Sequence, residues 1–149
     1  MPTLIPWLLI GYGNTLRQDD GAGVRVAEQL ERLSLPGVRV LTCHQLTPEL
    51  AATLATATAV VFVDAAAEAQ DRVRWRQIRP AAPATPLAHA ADPRTLLLLA
   101  RELFGHAPRA WLMTLPAPEL GYGEGLSAAA EAGVQAAVSR LQRRLARAP

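Results

Sequence analysis

Trp7-Leu-Leu-Ile-Gly-Tyr-Gly-Asn-Thr-Leu-Arg-Gln-Asp-Asp-Gly-Ala-Gly23 is the stretch that decides the fold. Trp7 to Tyr12 is a short apolar run around a glycine, which predicts a buried strand. From Asp19 to Leu33 the period changes. Val26, Leu30 and Leu33 recur at i, i+4 and i+7, the spacing of one helix face, and Pro36-Gly37 ends the helix.

Downstream the same alternation repeats. Val38 to Cys43 reads as a second strand. Thr47-Pro48-Glu49 reads as a helix start, with Thr47 as N-cap and Pro48 at the first helical position. Ala59 to Val63 is apolar throughout, as a central strand covered on both faces should be. Val73 to Ile78 alternates but is rich in arginine, which predicts an edge strand; with no helix before it, it should pair antiparallel. Pro80 to Ala91 is an Ala/Pro loop. Asp92-Pro93 opens a third helix with an apolar face of Leu96 to Leu99, Leu103 and Phe104, closed by Gly105. Arg109 to Leu115 is a fifth strand and Pro116 to Leu126 a loop. Ser127 caps a last helix with Val134, Val138, Leu141 and Leu145 on one face. Strands alternating with helices predict an α/β sandwich with a mainly parallel sheet, in a single domain over residues 1–149.

Composition narrows the function. All fifteen basic residues are arginine, which excludes a phosphate-loop lysine, a Schiff-base enzyme and a lysine base. Cys43, the one cysteine, cannot form an intramolecular disulfide or a cysteine zinc cluster, and burial accounts for it at a strand end. The net charge is only +2, and the pI of about 9.3 reflects a titration curve left flat by the missing lysines. This argues against nucleic acid as a partner. No apolar stretch approaches the ~20 residues of a membrane helix. The apolar N-terminus is broken by Pro2 and Pro6 and has no basic leader, so a cytoplasmic protein is expected.

Gly11-Tyr-Gly-Asn-Thr-Leu16 invites comparison with a dinucleotide fingerprint. Leu16 occupies the third glycine position, however, and Asp19-Asp20 would place negative charge where a pyrophosphate sits. Asp19 suits a helix N-cap; Asp20 is one acid more than capping requires. Ligands of open α/β sheets bind beyond the carboxyl ends of the strands. Asp20 lies beyond the first strand, Asp64 directly ends the third, and His89 precedes the third helix. Two carboxylates and an imidazole suit a borderline divalent metal such as nickel, zinc or manganese.

Gly11-Tyr-Gly-Asn-Thr-Leu-Arg-Gln-Asp-Asp-Gly-Ala-Gly23 resembles the signature loop of the hydrogenase maturation endopeptidases. Phe62-Val-Asp64-Ala, His89 before a Leu-rich helix, and the glycine loop leading to Leu126-Ser127 continue the resemblance over nearly the whole chain. It implies a three-layer α/β/α sandwich around a twisted sheet of about five strands. It implies removal of a C-terminal extension from a [NiFe]-hydrogenase large-subunit precursor once nickel is in place. The residues carried over as catalytic and nickel-contacting are Asp20, Asp64 and His89. Three weak ligands without cysteine suit nickel that arrives with the precursor better than a resident ion.

The chain departs from the family in two places. Asp20 stands where the best-known members have glutamate, and Cys43-His-Gln-Leu-Thr-Pro48 replaces a glycine-rich stretch, leaving His44 as a substitute ligand. These departures support an alternative: a non-catalytic assembly chaperone of the same fold that binds the precursor without cutting it. Asp19 is the candidate general base, and Asn14 either orients substrate or stabilises its turn. Glu119 to Gly125 is a loop able to close over a peptide. Arg140, Arg143, Arg144 and Arg147 suit a solvated helix end or an acidic partner.

Overall fold

A computed structural model describes residues 3–66, 68, 70–84 and 92–149. Five strands form one sheet: β1 (Ile5–Tyr12), β2 (Val38–Cys43), β3 (Ala57–Ala65), β4 (Arg74–Ile78) and β5 (Arg109–Leu115). Their order is β2-β1-β3-β5-β4. The first four strands in this order run parallel, and β4 pairs antiparallel with β5 at the edge. The helices are α1 (Ala22–Leu33), α2 (Leu50–Leu54), α3 (Pro93–Phe104) and α4 (Ala128–Leu145). The α/β/α sandwich is therefore as expected, with β3, apolar from Ala59 to Val63, at its centre.

Strand alternation sorts the core into two layers. Trp7, Leu9, Val61, Val63, Met113 and Leu115 pack with α1 and α4 on one face. Leu8, Ile10, Tyr12, Val60, Phe62 and Ala110 pack with α2 and α3 on the other. No helix among the described residues is long and apolar enough to cross a membrane.

Three local expectations change. The first helix begins as a 3-10 turn, Gln18–Gly21, before α1, and Asp19 caps neither element. The Thr47 cap is also replaced. The Leu50 and Ala51 N–H groups bond to the Thr47 and Pro48 carbonyls in a tight turn, and α2 starts only at Leu50. In α3 the capping by Asp92 and closure by Gly105 are as expected, but Leu103 and Phe104 are 66% and 52% exposed. The helical period aligns them with the buried Leu96 and Leu97; the fold leaves the last turn uncovered among the described residues.

The arginines of α4 have a structural use. Arg144 lies 4.7 Å from the Trp7 ring centroid and 5.7 Å from that of Trp111, and Arg140 lies 5.4 Å from that of Trp75. The Trp7 indole N–H donates to the Arg147 carbonyl at 2.8 Å. Two arginines read as a solvated or partner-facing end thus staple α4 to the sheet through cation–π contacts.

On the same face α1 sits unusually close to the strands. A Cβ at Gly23 would run into the Val63 carbonyl oxygen, and one at Gly11 would run into the Gly23 carbonyl oxygen. Gly23→Ala should therefore cost about 2–3 kcal/mol by overpacking, read as a lower urea midpoint with an unchanged slope. A midpoint equal to wild type would show that α1 can lift off the sheet freely.

Candidate functional site

The close approach of α1 to β3 brings two sequence-distant acids to one edge. Gly23 abuts the Val63 carbonyl, one residue before Asp64, and Asp20 lies in the 3-10 turn leading into α1. Both acids are partly buried at the carboxyl ends of β1 and β3. The Asn14 N–H donates to Asp20 Oδ2 at 2.8 Å, and the Ala65 N–H donates to Asp64 Oδ1 at 2.8 Å. Gly13, at φ +140°, makes the turn between β1 and this loop; a Cβ there would collide with the Asp20 carbonyl oxygen.

Asp64 is held as a proton-exchanging group. Burial pushes its carboxyl up to about 7, helped by the charge of Asp20 and opposed by the Ala65 N–H and the Tyr12 hydroxyl, which both hydrogen-bond to it. Tyr12 was not among the site residues read from the sequence. It follows Leu8 and Ile10 on the β1 face that carries Val60 and Phe62 of β3. Period-two alternation in paired strands therefore places it beside Asp64, and that was the available signal. Its phenol is driven well above its ordinary range, first by burial and then by the Asp64 charge, so it serves as a donor.

Asp19 has a different task from either one foreseen. It is fully buried, and its carboxylate accepts from the Glu119 N–H at 2.9 Å, the Ser127 N–H at 2.7 Å and the Ser127 hydroxyl at 2.7 Å. With its oxygens engaged this way it is a tie between loops, and the general-base expectation for it is withdrawn. Around it the Glu119–Gly125 loop is docked on the first loop. The Gln18 N–H donates to the Gly123 carbonyl, the Gly123 N–H to that of Leu16, and the Arg17 guanidinium to that of Leu120.

Asn14 stabilises its turn, with Oδ1 accepting from the Leu16 N–H at 2.9 Å. His44 is exposed and lines a cavity of about 200 Å³ with Gly13, Thr15, Val24, Thr42 and Cys43. Burial pushes the Cys43 thiol up, as suits an unreactive cysteine. His89 lies outside the described residues. Among the described residues no group of three or more His, Cys, Asp or Glu side chains could hold a metal. The structure thus brings Asp20 and Asp64 together, and the pair offers carboxylate oxygens suited to a hard or borderline cation.

Two outcomes follow from these environments. Between about pH 4 and 7 folded Asp64 keeps a proton that the unfolded chain releases, so wild-type stability falls as pH rises through this window. The stability of Asp64→Asn relative to wild type should rise across that window and level off above it. The change should reach a few kcal/mol, at ~1.4 kcal/mol per pKa unit; parallel urea titrations at several pH values would detect it, and a flat difference would refute it. Asp19→Ala leaves buried donors unpaired and should cost about 3 kcal/mol or more. Amide exchange of the 119–127 segment should then quicken more than that of β3; unchanged protection would refute the tie.

The chain has solved structural counterparts. The hydrogenase maturating endopeptidase HybD from E. coli superposes with a TM-score of 0.75 at 23% identity, covering 93% of this chain and 91% of that one. A [NiFe] hydrogenase maturation protease, HycI from Thermococcus kodakarensis, gives 0.69 at 24% identity, covering 95% and 90%. A hydrogenase 2 maturation peptidase from a Thaumarchaeota archaeon gives 0.66 at 24% identity, covering 93% and 97%. No protein-family model matches the chain, and no curated protein sequence matches it. Over 93–95% of its length, this chain has the fold of the hydrogenase maturation endopeptidases.

Proposed function

We propose that this protein is an endopeptidase that removes a C-terminal extension from a [NiFe]-hydrogenase large-subunit precursor after nickel insertion. The observation that carries the reading is the convergence of Asp20 and Asp64 at the carboxyl edge, in the fold of proteins named as hydrogenase maturation proteases. Nickel is substrate cargo here, brought by the precursor, and Asp20, Asp64 and His89 are the residues assigned to contact it and serve catalysis. The donor chemistry fits: Asp64 titrates near neutral pH because it is buried beside another acid, and a cation would offset that repulsion. Bound nickel would polarise the scissile carbonyl or acidify a water.

The chain's own residues supply the rest. The Asn14 N–H orients Asp20, and the Ala65 N–H and Tyr12 hydroxyl orient Asp64, so both carboxylates are held before a precursor docks. Cytoplasmic placement belongs to the same proposal.

The test is incubation with a nickel-loaded large-subunit precursor, followed by intact mass. Wild type should release a C-terminal peptide, and nickel-free precursor should stay whole. Asp20→Ala, Asp64→Ala and His89→Ala should each slow cleavage at least about a hundredfold. A stable complex with no mass change would select the assembly-chaperone reading instead. Normal cleavage by all three variants would refute the site.

A further inference from the structure

A second cavity of about 460 Å³ opens at the same carboxyl edge, on the β4 side, lined by Ala66, Glu68, Gln70, Arg74, Arg76 and Thr114. Strand register fixes its relation to the acid pair. Asp64 is paired with Thr114 across β3 and β5, and Thr114 with Arg74 across β5 and β4. Two inter-strand spacings separate Asp64 from Arg74, about 10 Å. Adjacent strands in register present paired residues to one face, so Asp64, Thr114 and Arg74 form a single row. Arg76, two residues along β4, shares that face.

Arg74 and Arg76 are exposed, and neither has an acid partner: among the described residues the one ion pair is Arg25 with Glu28. Gln70 is held in place, its amide donating to the Thr114 carbonyl at 3.0 Å and to that of Arg72 at 2.9 Å. The cavity therefore sets two guanidinium groups against one carboxylate, Glu68, with a fixed amide between the strands. Guanidinium forks recognise carboxylates by paired hydrogen bonds.

We propose that this cavity is a substrate subsite for a carboxylate on an extended peptide, about three residues from the bond presented to Asp20 and Asp64. The spacing follows from ~3.3 Å of extended chain per residue. The inference rests on the endopeptidase reading for its substrate, a peptide, while the arginine pair determines what part of the peptide is read. The carboxylate is a glutamate or aspartate side chain or the free chain terminus.

Binding of fluorescein-labelled five-residue peptides, read by anisotropy, tests the subsite without requiring cleavage. Three probes suffice: a neutral amidated peptide, the same peptide with one glutamate, and the neutral peptide with a free terminal carboxylate. At least one acidic probe should bind about tenfold more tightly than the neutral one, and which of the two does so identifies the source. Arg74→Gln and Arg76→Gln, both at exposed positions, should each erase that preference without altering neutral-peptide binding. The preference should also shrink as salt rises. Equal binding of all three probes, or a preference that survives both substitutions, overturns the subsite. If the preference holds while the nickel-loaded precursor stays uncut, the endopeptidase reading fails and the peptide subsite stands. If the precursor is cut but charge has no effect on binding, the subsite alone fails.

Discussion

The lack of side chains at Gly11 and Gly23 lets α1 lie almost on the backbone of β1 and β3. Much of the carboxyl edge depends on that contact. It sets the start of α1 against the Val63 carbonyl, so the turn that carries Asp20 arrives beside Asp64. A helix resting on ordinary side chains would stand further from the sheet, and the two carboxylates would lie further apart. Burial is the main cause of the raised Asp64 carboxyl, and the smaller push from the Asp20 charge is a consequence of this backbone packing.

The second support is Asp19. Its buried carboxylate joins the first loop to the segment that precedes α4, with Ser127 acting both as its donor and as the cap of that helix. Adjacent acids therefore divide the work. Asp19 turns inward and holds loops together; Asp20 turns toward the edge with an acceptor oxygen set by the Asn14 N–H. On the far side of the edge, antiparallel β4 brings its arginines into the same row as Asp64. A sheet wholly parallel to its last strand would instead end there with a carboxyl terminus, and Arg74 would have no place beside Thr114.

Much of the fold was legible because it rests on periodicity. The apolar β3, the arginine-rich edge strand and the Asp92 and Ser127 caps follow from side-chain patterns acting within a few residues. The misreadings fall where long-range packing overrides local preference. Asp19 has the chemistry of an N-cap, but its partners lie about a hundred residues away in the chain. Leu103 and Phe104 have the period of a buried face, but burial also needs something to pack over it. Leu16 argued against a nucleotide loop, but the close helix–strand contact was not legible there; it is made by Gly23, the second residue of α1.

The amino-acid sequence by itself determined the alternation of strands and helices, the central place of β3 and the positions of Asp20 and Asp64 at the carboxyl edge. These follow from local hydrophobic period and from the polarity of parallel strands, which every α/β sheet shares. The tertiary structure alone decided that Asp19 is a tie, that Arg140 and Arg144 stack on tryptophans, and that Arg74 lines up with Asp64. Each of these is a relation between residues on different elements of the fold. Its existence depends on strand order, register and the spacing of helix from sheet, which no local pattern encodes.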